Sequence, residues 1–258
     1  MRFSRVLGVV FMALVLLVSF SSAQTGKPRT FSLAVGAGYH MSNLNVEYVK
    51  QWLVWDETAT FIDVLDKANS VGFGATLGYF VTPNIEVFLG GFMTSTSNQA
   101  GWFGFEVPSY YYYDDAAYDE YVEARKYSQT DLMFGIKYHI MPVGKIDPYL
   151  GAGGIYSMAK IQLVSDFYYY DMYDELYYHT IEIFDPVYED VKADGIGGFV
   201  VGGIEVGIAP SIHLYAEGAY KFAKKSVVHP FSEWFETVDE ISLDLGGLAL
   251  VGGVKVYF

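Results

Sequence analysis

The chain has 258 residues, of which 52% are hydrophobic and 18% aromatic, with 27 glycines, no cysteine and a formal net charge of -14. The absence of cysteine excludes disulfides, cysteine-held metals, a thiol nucleophile and a lipid-anchored N-terminal cysteine, and the acidic balance excludes a nucleic-acid binder, which needs a basic surface against phosphates. Past residue 23 no apolar run approaches the roughly 18 residues of a spanning helix, so a helical membrane protein is excluded and a single all-β domain fits the length.

Arg2 and Arg5 precede the apolar run from Val6 to Phe20, and Ser21, Ser22 and Ala23 follow it. This order of basic, apolar and small residues is that of a secretory signal with a cut after Ala23, leaving residues 24–258 as the mature domain. Removing the two arginines leaves 14 basic against 30 acidic side chains.

From Phe31 to Ser42, the residues Phe31, Leu33, Val35, Ala37, Tyr39 and Met41 alternate with small or polar ones. From Ser70 to Val81, Val71, Phe73, Ala75, Leu77, Tyr79 and Val81 do the same. Period two predicts strands there, and again over Ile85–Thr94, Gln129–Ile140, Tyr149–Ala159, Gly195–Ile208, Ile212–Phe222 and Ser242–Phe258. In the third and sixth, Phe88, Phe92, Phe199 and Val201 share the inward face with Glu86 or Glu205, which blurs the pattern.

Tight connections at Thr82-Pro83-Asn84, Met141–Pro148 and Ala209-Pro210-Ser211 alternate with long segments over 43–69, 97–128, 161–193 and 223–241. Within 161–193, Ile161-Gln162-Leu163 and Ile181-Glu182-Ile183 are placed to extend a hairpin. The outward faces would form a continuous belt of Leu, Val, Ile, Phe and Tyr that water does not tolerate and lipid requires. The expected fold is therefore all-β: an eight-stranded antiparallel up-and-down transmembrane barrel with short periplasmic turns, long extracellular loops and both termini in the periplasm.

The segment Leu248-Ala249-Leu250-Val251-Gly252-Gly253-Val254-Lys255-Val256-Tyr257-Phe258 ends on an aromatic residue, with apolar or small residues at alternate positions before it. It resembles the terminal strand of outer-membrane proteins, and the mature chain resembles the small OmpA/OmpX/OmpW-type barrels of Gram-negative bacteria. The resemblance implies that Phe258 serves as a signal to the barrel-assembly machinery. It leaves function open, because such barrels include anchors, adhesins, small transporters and a few enzymes.

Glu86, Lys137, Glu205, Glu217, Lys221 and Lys255 fall on inward positions, with Asp131, and an eight-stranded interior is only wide enough for side chains to fill. Paired charges plugging the lumen are the expected arrangement, with Glu86, Glu205 and Glu217 meeting Lys137, Lys221 and Lys255. His40, His139 and His213 also point inward but at opposite ends, and no His-Glu-x-x-His or zinc-type spacing occurs. The glycine clusters precede no helix and so make no phosphate loop. No metal site, cofactor or catalytic set is expected, although His40 with Ser42, or His229 with Ser232, stand close enough in sequence to consider as an outer-rim hydrolase.

Distinctive residues lie in the loops: Tyr111, Asp114 and Asp115 within Tyr110–Asp115, then Tyr169, Asp171 and Asp174 within Asp166–Tyr178, with Trp52, Trp55, Trp102 and Trp234 in the outer segments. Tyrosine gives rigid amphipathic contact area and carboxylates attract hard cations. The sequence thus points to a structural or surface-interaction protein whose acidic aromatic loops meet extracellular ligands, divalent cations or neighbouring lipopolysaccharide. A narrow OmpW-like transporter of small or hydrophobic molecules is the first alternative and a rim enzyme the second.

Overall fold

The computed structural model describes residues 30–54, 57–107, 117–140, 145–173, 179–235 and 238–258; the expected signal segment lies outside them. In chain order the strands are β1 (Phe31–Ser42), β2 (Val46–Val54), β3 (Glu57–Leu65), β4 (Asn69–Thr82), β5 (Ile85–Val107), β6 (Ala117–His139), β7 (Ile146–Tyr173), β8 (His179–Ala209), β9 (Ile212–Val228), β10 (Glu240–Asp244) and β11 (Gly247–Tyr257). A short 3-10 helix, Pro230–Phe235, precedes β10.

Eight of these strands pair in a closed antiparallel ring, β1-β4-β5-β6-β7-β8-β9-β11, with β11 returning to β1. Closure gives every ring strand a neighbour on both sides, so no strand at ring level presents an unpaired row of N–H and C=O groups. The sequence expected eight strands and the ring has eight; three further strands, β2, β3 and β10, stand off it. Turns between β4 and β5 and between β8 and β9 are two residues long, each carrying the proline read from the sequence. In the first turn Thr82 Oγ1 accepts a hydrogen bond from Ile85 N at 3.1 Å.

Alternation places the apolar residues outside. Leu89, Phe134 and Ile196 are 61%, 62% and 81% exposed, and they belong to a belt that runs around all eight ring strands. Inside, glycine makes room. Where a ring wall is this tightly curved, a Cβ at Gly197 would collide with the carbonyl oxygen of Phe222 on the next strand, whereas one at Gly252 would meet nothing nearer than 3.7 Å. The blurred third and sixth segments are resolved as inward packing, since Phe88 and Phe199 make an edge-to-face pair at 5.8 Å across the lumen.

The long outer segments depart from the expectation of loops. β2 pairs antiparallel with β3, and β3 pairs with the upper half of β5 through Thr60–Leu65. Alternating Val46, Tyr48 and Trp52, then Ala59, Phe61, Asp63 and Leu65, supply a buried face that the interspersed Glu47, Lys50 and Gln51 obscure in the sequence. β5 to β8 also continue well beyond the expected ends. The extension through Ile161–Leu163 and Ile181–Ile183 is as anticipated, in β7 paired with β8.

Above Tyr127, paired to Ile161, β6 and β7 part. The ring there opens into two flaps, the sheet β2-β3-β5-β6 and the β7–β8 hairpin. Tyr48, Phe61, Phe103, Phe105, Val164, Phe167, Ile183 and Phe231 fill the space between them. Phe61 lies at the centre, stacked on Phe231 at 3.9 Å and on Phe167 at 5.6 Å. Beneath this core Leu44, Leu65, Ile161, Leu163, Leu243 and Leu245, all fully buried, close the outer end of the ring.

Gly197→Ala forces a strand shift against backbone, and overpacking of this kind costs about 1–3 kcal/mol. It is expected to lower resistance to unfolding in detergent on that scale, and Gly252→Ala to leave it within about 0.5 kcal/mol. The two are checked together by the urea midpoint of heat-modifiable gel mobility.

Candidate functional site: the charged lumen and its outer cap

Three charged layers line the inside of the ring. At the end near both chain termini, Lys255 Nζ donates to Glu86 Oε2 and to Glu205 Oε1, each at 2.8 Å. Ser32 Oγ donates to the other oxygen of Glu86 at 2.5 Å, and Tyr257 to the other oxygen of Glu205. His139 stands between two carboxylates, with Nε2 3.2 Å from Glu86 and Nδ1 3.1 Å from Asp147. All of these groups are buried, so each carboxylate oxygen needs the donor it has.

Glu86, His139 and Glu205 offer ligand atoms within 4.8 Å of one another. Two carboxylates and an imidazole are a reasonable donor set for a divalent ion, yet the Lys255 ammonium already sits between them. The cluster is a carboxylate pair bridged by a tethered cation. Sequence spacing could not show it, because the three residues come from β5, β6 and β8.

The middle layer joins Lys137 Nζ and the Tyr149 hydroxyl to Glu217 Oε2 at 2.8 and 2.7 Å. Lys137 also lies over the rings of Tyr149 and Phe88 at 4.7 and 4.9 Å, a second source of attraction for the ammonium. The third layer pairs Lys221 with Asp131 at 2.5 Å, and Asp131 also accepts from Ser157 and Gln129 at 2.7 Å. The expected six charges thus all meet partners inside the ring, but Lys221 takes Asp131 rather than a glutamate. Between the middle and upper layers lies a cavity of about 20 Å³ lined by Phe92, Met133, Tyr215 and Lys221 among others, room for about one water molecule.

The cap holds a fourth cluster that sequence reasoning missed. Asp63 Oδ1 receives Arg125 Nη1 at 2.6 Å, and Asp63 Oδ2 receives His229 Nε2 at 3.0 Å and Val164 N at 3.2 Å. Arg125, Asp63 and His229 are all but fully buried. The His229 ring stacks flat on Tyr48 at 3.9 Å, and its Nδ1 accepts from Phe231 N at 3.3 Å. Arg125, His229 and the Val164 N–H thus converge on the two oxygens of Asp63. The available signal was Asp63 inside Phe61-Ile62-Asp63-Val64-Leu65, a carboxylate on the buried face of an apolar strand.

This geometry also bears on the hydrolase candidates. Ser232 Oγ donates to the carbonyl oxygen of His229 at 2.7 Å, while both imidazole nitrogens are engaged elsewhere; the pair is not arranged as nucleophile and base. His40 and Ser42 are buried beneath the cap, and Ser42 Oγ accepts from Leu44 N at 3.0 Å.

Among the loop residues, Trp52 is partly buried against the cap core, stacked on Phe105 at 5.7 Å. Trp102 is half-buried on β5. Tyr169 and Asp171 lie on β7, and Trp234 in the 3-10 helix. Trp55, Tyr111, Asp114, Asp115 and Asp174 fall outside the described residues. Phe258 is bound at the ring seam, its N donating to Phe31 O at 2.9 Å.

With this geometry, comparison with solved structures finds the outer membrane protein OprG from Pseudomonas aeruginosa at a TM-score of 0.52 and 12% identity, covering 90% of this chain and 97% of that one. The fold is that of the small outer-membrane β-barrels. Neisserial surface protein A and the outer membrane protease OmpT from Escherichia coli are similar at lower TM-scores, 0.43 and 0.45, each at 13% identity, covering 88% and 91% of this chain and 96% and 99% of theirs. No protein-family model matches the sequence, and no curated protein does.

Two outcomes follow. Lys255→Met leaves two carboxylates facing each other in a dry site, and the expected loss is about 3 kcal/mol of resistance to unfolding; adding Glu205→Gln recovers part of it in a double-mutant cycle, while the outward control Val254→Ala does not. In the cap, burial and then the hydrogen bond to Asp239 push the Tyr48 hydroxyl above its ordinary range. Burial and then Glu123 do the same at Tyr188. A phenol held neutral by the fold stabilises it fully below pH of about 10 and loses that contribution as pH climbs further. Protease resistance of the cap should therefore fall above pH 10, and less steeply in Tyr48→Phe, with the barrel fragment surviving.

Proposed function

We propose that the protein is an outer-membrane barrel of eight spanning strands that acts as a structural and surface-interaction protein, with a sealed lumen and a folded cap facing outward. The observation that carries this reading is the occupancy of the interior. Three ion-paired layers, the aromatic pair Phe88–Phe199 and the apolar layer under the cap fill the ring from end to end. The outward apolar belt supports immersion in lipid, since an uncovered belt of that extent would drive a soluble domain to associate. Immersion in turn makes closure of the ring obligatory, because hydrocarbon offers no partner to an unpaired backbone group.

On this reading the long outer segments face the exterior and both termini the periplasm, the topology of short turns at one end and long segments at the other. The acidic tyrosine-rich stretches around Tyr111, Asp114, Asp115, Tyr169, Asp171 and Asp174, with Trp55 and Trp234, supply the contact surface. Their chemistry suits extracellular ligands or divalent cations. No catalytic group is assigned.

Reconstituted in a planar bilayer, the protein is expected to give no resolved unitary conductance from pH 5 to 8. A steady ohmic conductance that vanishes in a Lys221→Met, Asp131→Leu variant would replace this reading with the transporter one.

A further inference from the structure

Just beyond the apolar belt, on its outward face, four neighbouring strands each carry a lysine: Lys126 on β6, Lys160 on β7, Lys192 on β8 and Lys224 on β9. Lys224 is two positions past Phe222, and Lys160 two past Met158; Lys192 and Lys126 stand slightly further along their strands from Ile196 and Leu132. Each is at an even position on its strand, in phase with the exposed Phe134, Tyr156, Ile196 and Phe222. Adjacent strands are about 4.8 Å apart, so the four span about 15 Å of the wall. At the corresponding level β1, β4 and β5 present Asn43, Asn69, Ser95 and Ser97, which carry no charge. In a chain of net charge -14 four lysines thus stand on four consecutive strands, with Lys67 before β4 apart from them.

Lys160 and Lys192 are directly cross-strand partners. Like charges placed so are destabilising in water unless an anion lies between them. The carboxylates nearby are committed: Asp190 to Lys160 at 2.6 Å, Asp194 to the Tyr156 hydroxyl, and Asp244 Oδ1 to the N–H of Gly246. Asp190 and Asp194 flank Lys192 on its own strand, Asp244 stands across from Lys224 and Asp190 also feels Lys126, but the ion pair closed in this row is Lys160–Asp190, which leaves the other three ammonium groups available to a further anion.

We infer that this row is a binding surface for the phosphate groups of outer-leaflet lipid headgroups. The inference rests on the membrane reading above. Depth makes the choice of partner: side chains rooted one to three pairs of residues above the belt positions Phe222, Met158, Ile196 and Leu132 reach the headgroup layer, where phosphate is the anion at hand, and lysine serves it as a flexible point charge. The neighbouring aromatics Tyr156 and Tyr220 sit at the boundary, as interfacial tyrosines do.

The test uses the full mature chain refolded into phosphatidylcholine vesicles and into the same vesicles with one-fifth of a bis-phosphorylated glycolipid. Flotation with the vesicles checks insertion separately, so failure to float removes the membrane reading rather than this one. Native mass spectrometry of protein extracted from the mixed vesicles is expected to retain one to two glycolipids per barrel, and K126Q/K160Q/K192Q/K224Q to retain at least fivefold fewer. K50Q, in the cap, should behave as wild type. Equal retention by the fourfold variant overturns the proposal. So does loss of retention on chelation of divalent ions in wild type, which would assign the contact to acidic residues bridged by metal, or displacement by millimolar inorganic phosphate, which would make it a soluble-anion site.

Discussion

Closure of the backbone ring is the constraint on which the rest of this structure depends. A sheet of eight strands satisfies its last edge only by returning to its first, and β11 meets β1 over ten consecutive residues and more. That closure fixes a narrow interior, and the narrowness decides what each inward position holds. Glycine stands where the neighbouring backbone comes too near for a Cβ, as at Gly197. Elsewhere long side chains reach across, and those that carry charge do so in matched groups, because a lone ion cut off from water is far costlier than a pair.

The same logic extends to the cap. Once β6 and β7 part above Tyr127, the two flaps lose their shared backbone ladder, and side chains must hold them. Stacked aromatics around Phe61 do so through dispersion and burial, and Asp63 ties three elements by accepting from β6, β7 and the segment before the 3-10 helix. A buried ion pair of this sort adds little net energy against an apolar alternative but fixes the arrangement of its partners.

Much of this was legible in the sequence. Period-two alternation located all eight ring strands, and the inward set Glu86, Lys137, Glu205, Glu217, Lys221 and Lys255 followed from parity alone, since a strand has only two faces. Partner choice did not follow. Parity says that Lys221 points inward; only the register of β6 against β7 and of β8 against β9 brings it to Asp131 rather than to Glu217. The β2–β3 pair was hidden because its buried face looks into a small second core rather than the lumen, and its solvent face carries enough charge to resemble a loop. Arg125 and His229 were silent for the same reason: nothing local marks a residue whose partner is 62 or 166 positions away.

The central claim, a lipid-facing wall around a filled interior, is tested most directly by spin labels on single introduced cysteines, for which a chain without native cysteine is well suited. Labels at 132, 133, 134 and 136 on β6, in refolded protein in vesicles, should alternate. Positions 132, 134 and 136 should collide freely with oxygen and not with a water-soluble nickel chelate, and 133 with neither. Collision of the chelate with 133 alone would mean that water runs through the ring, and uniform chelate access at all four would mean that the wall does not face lipid.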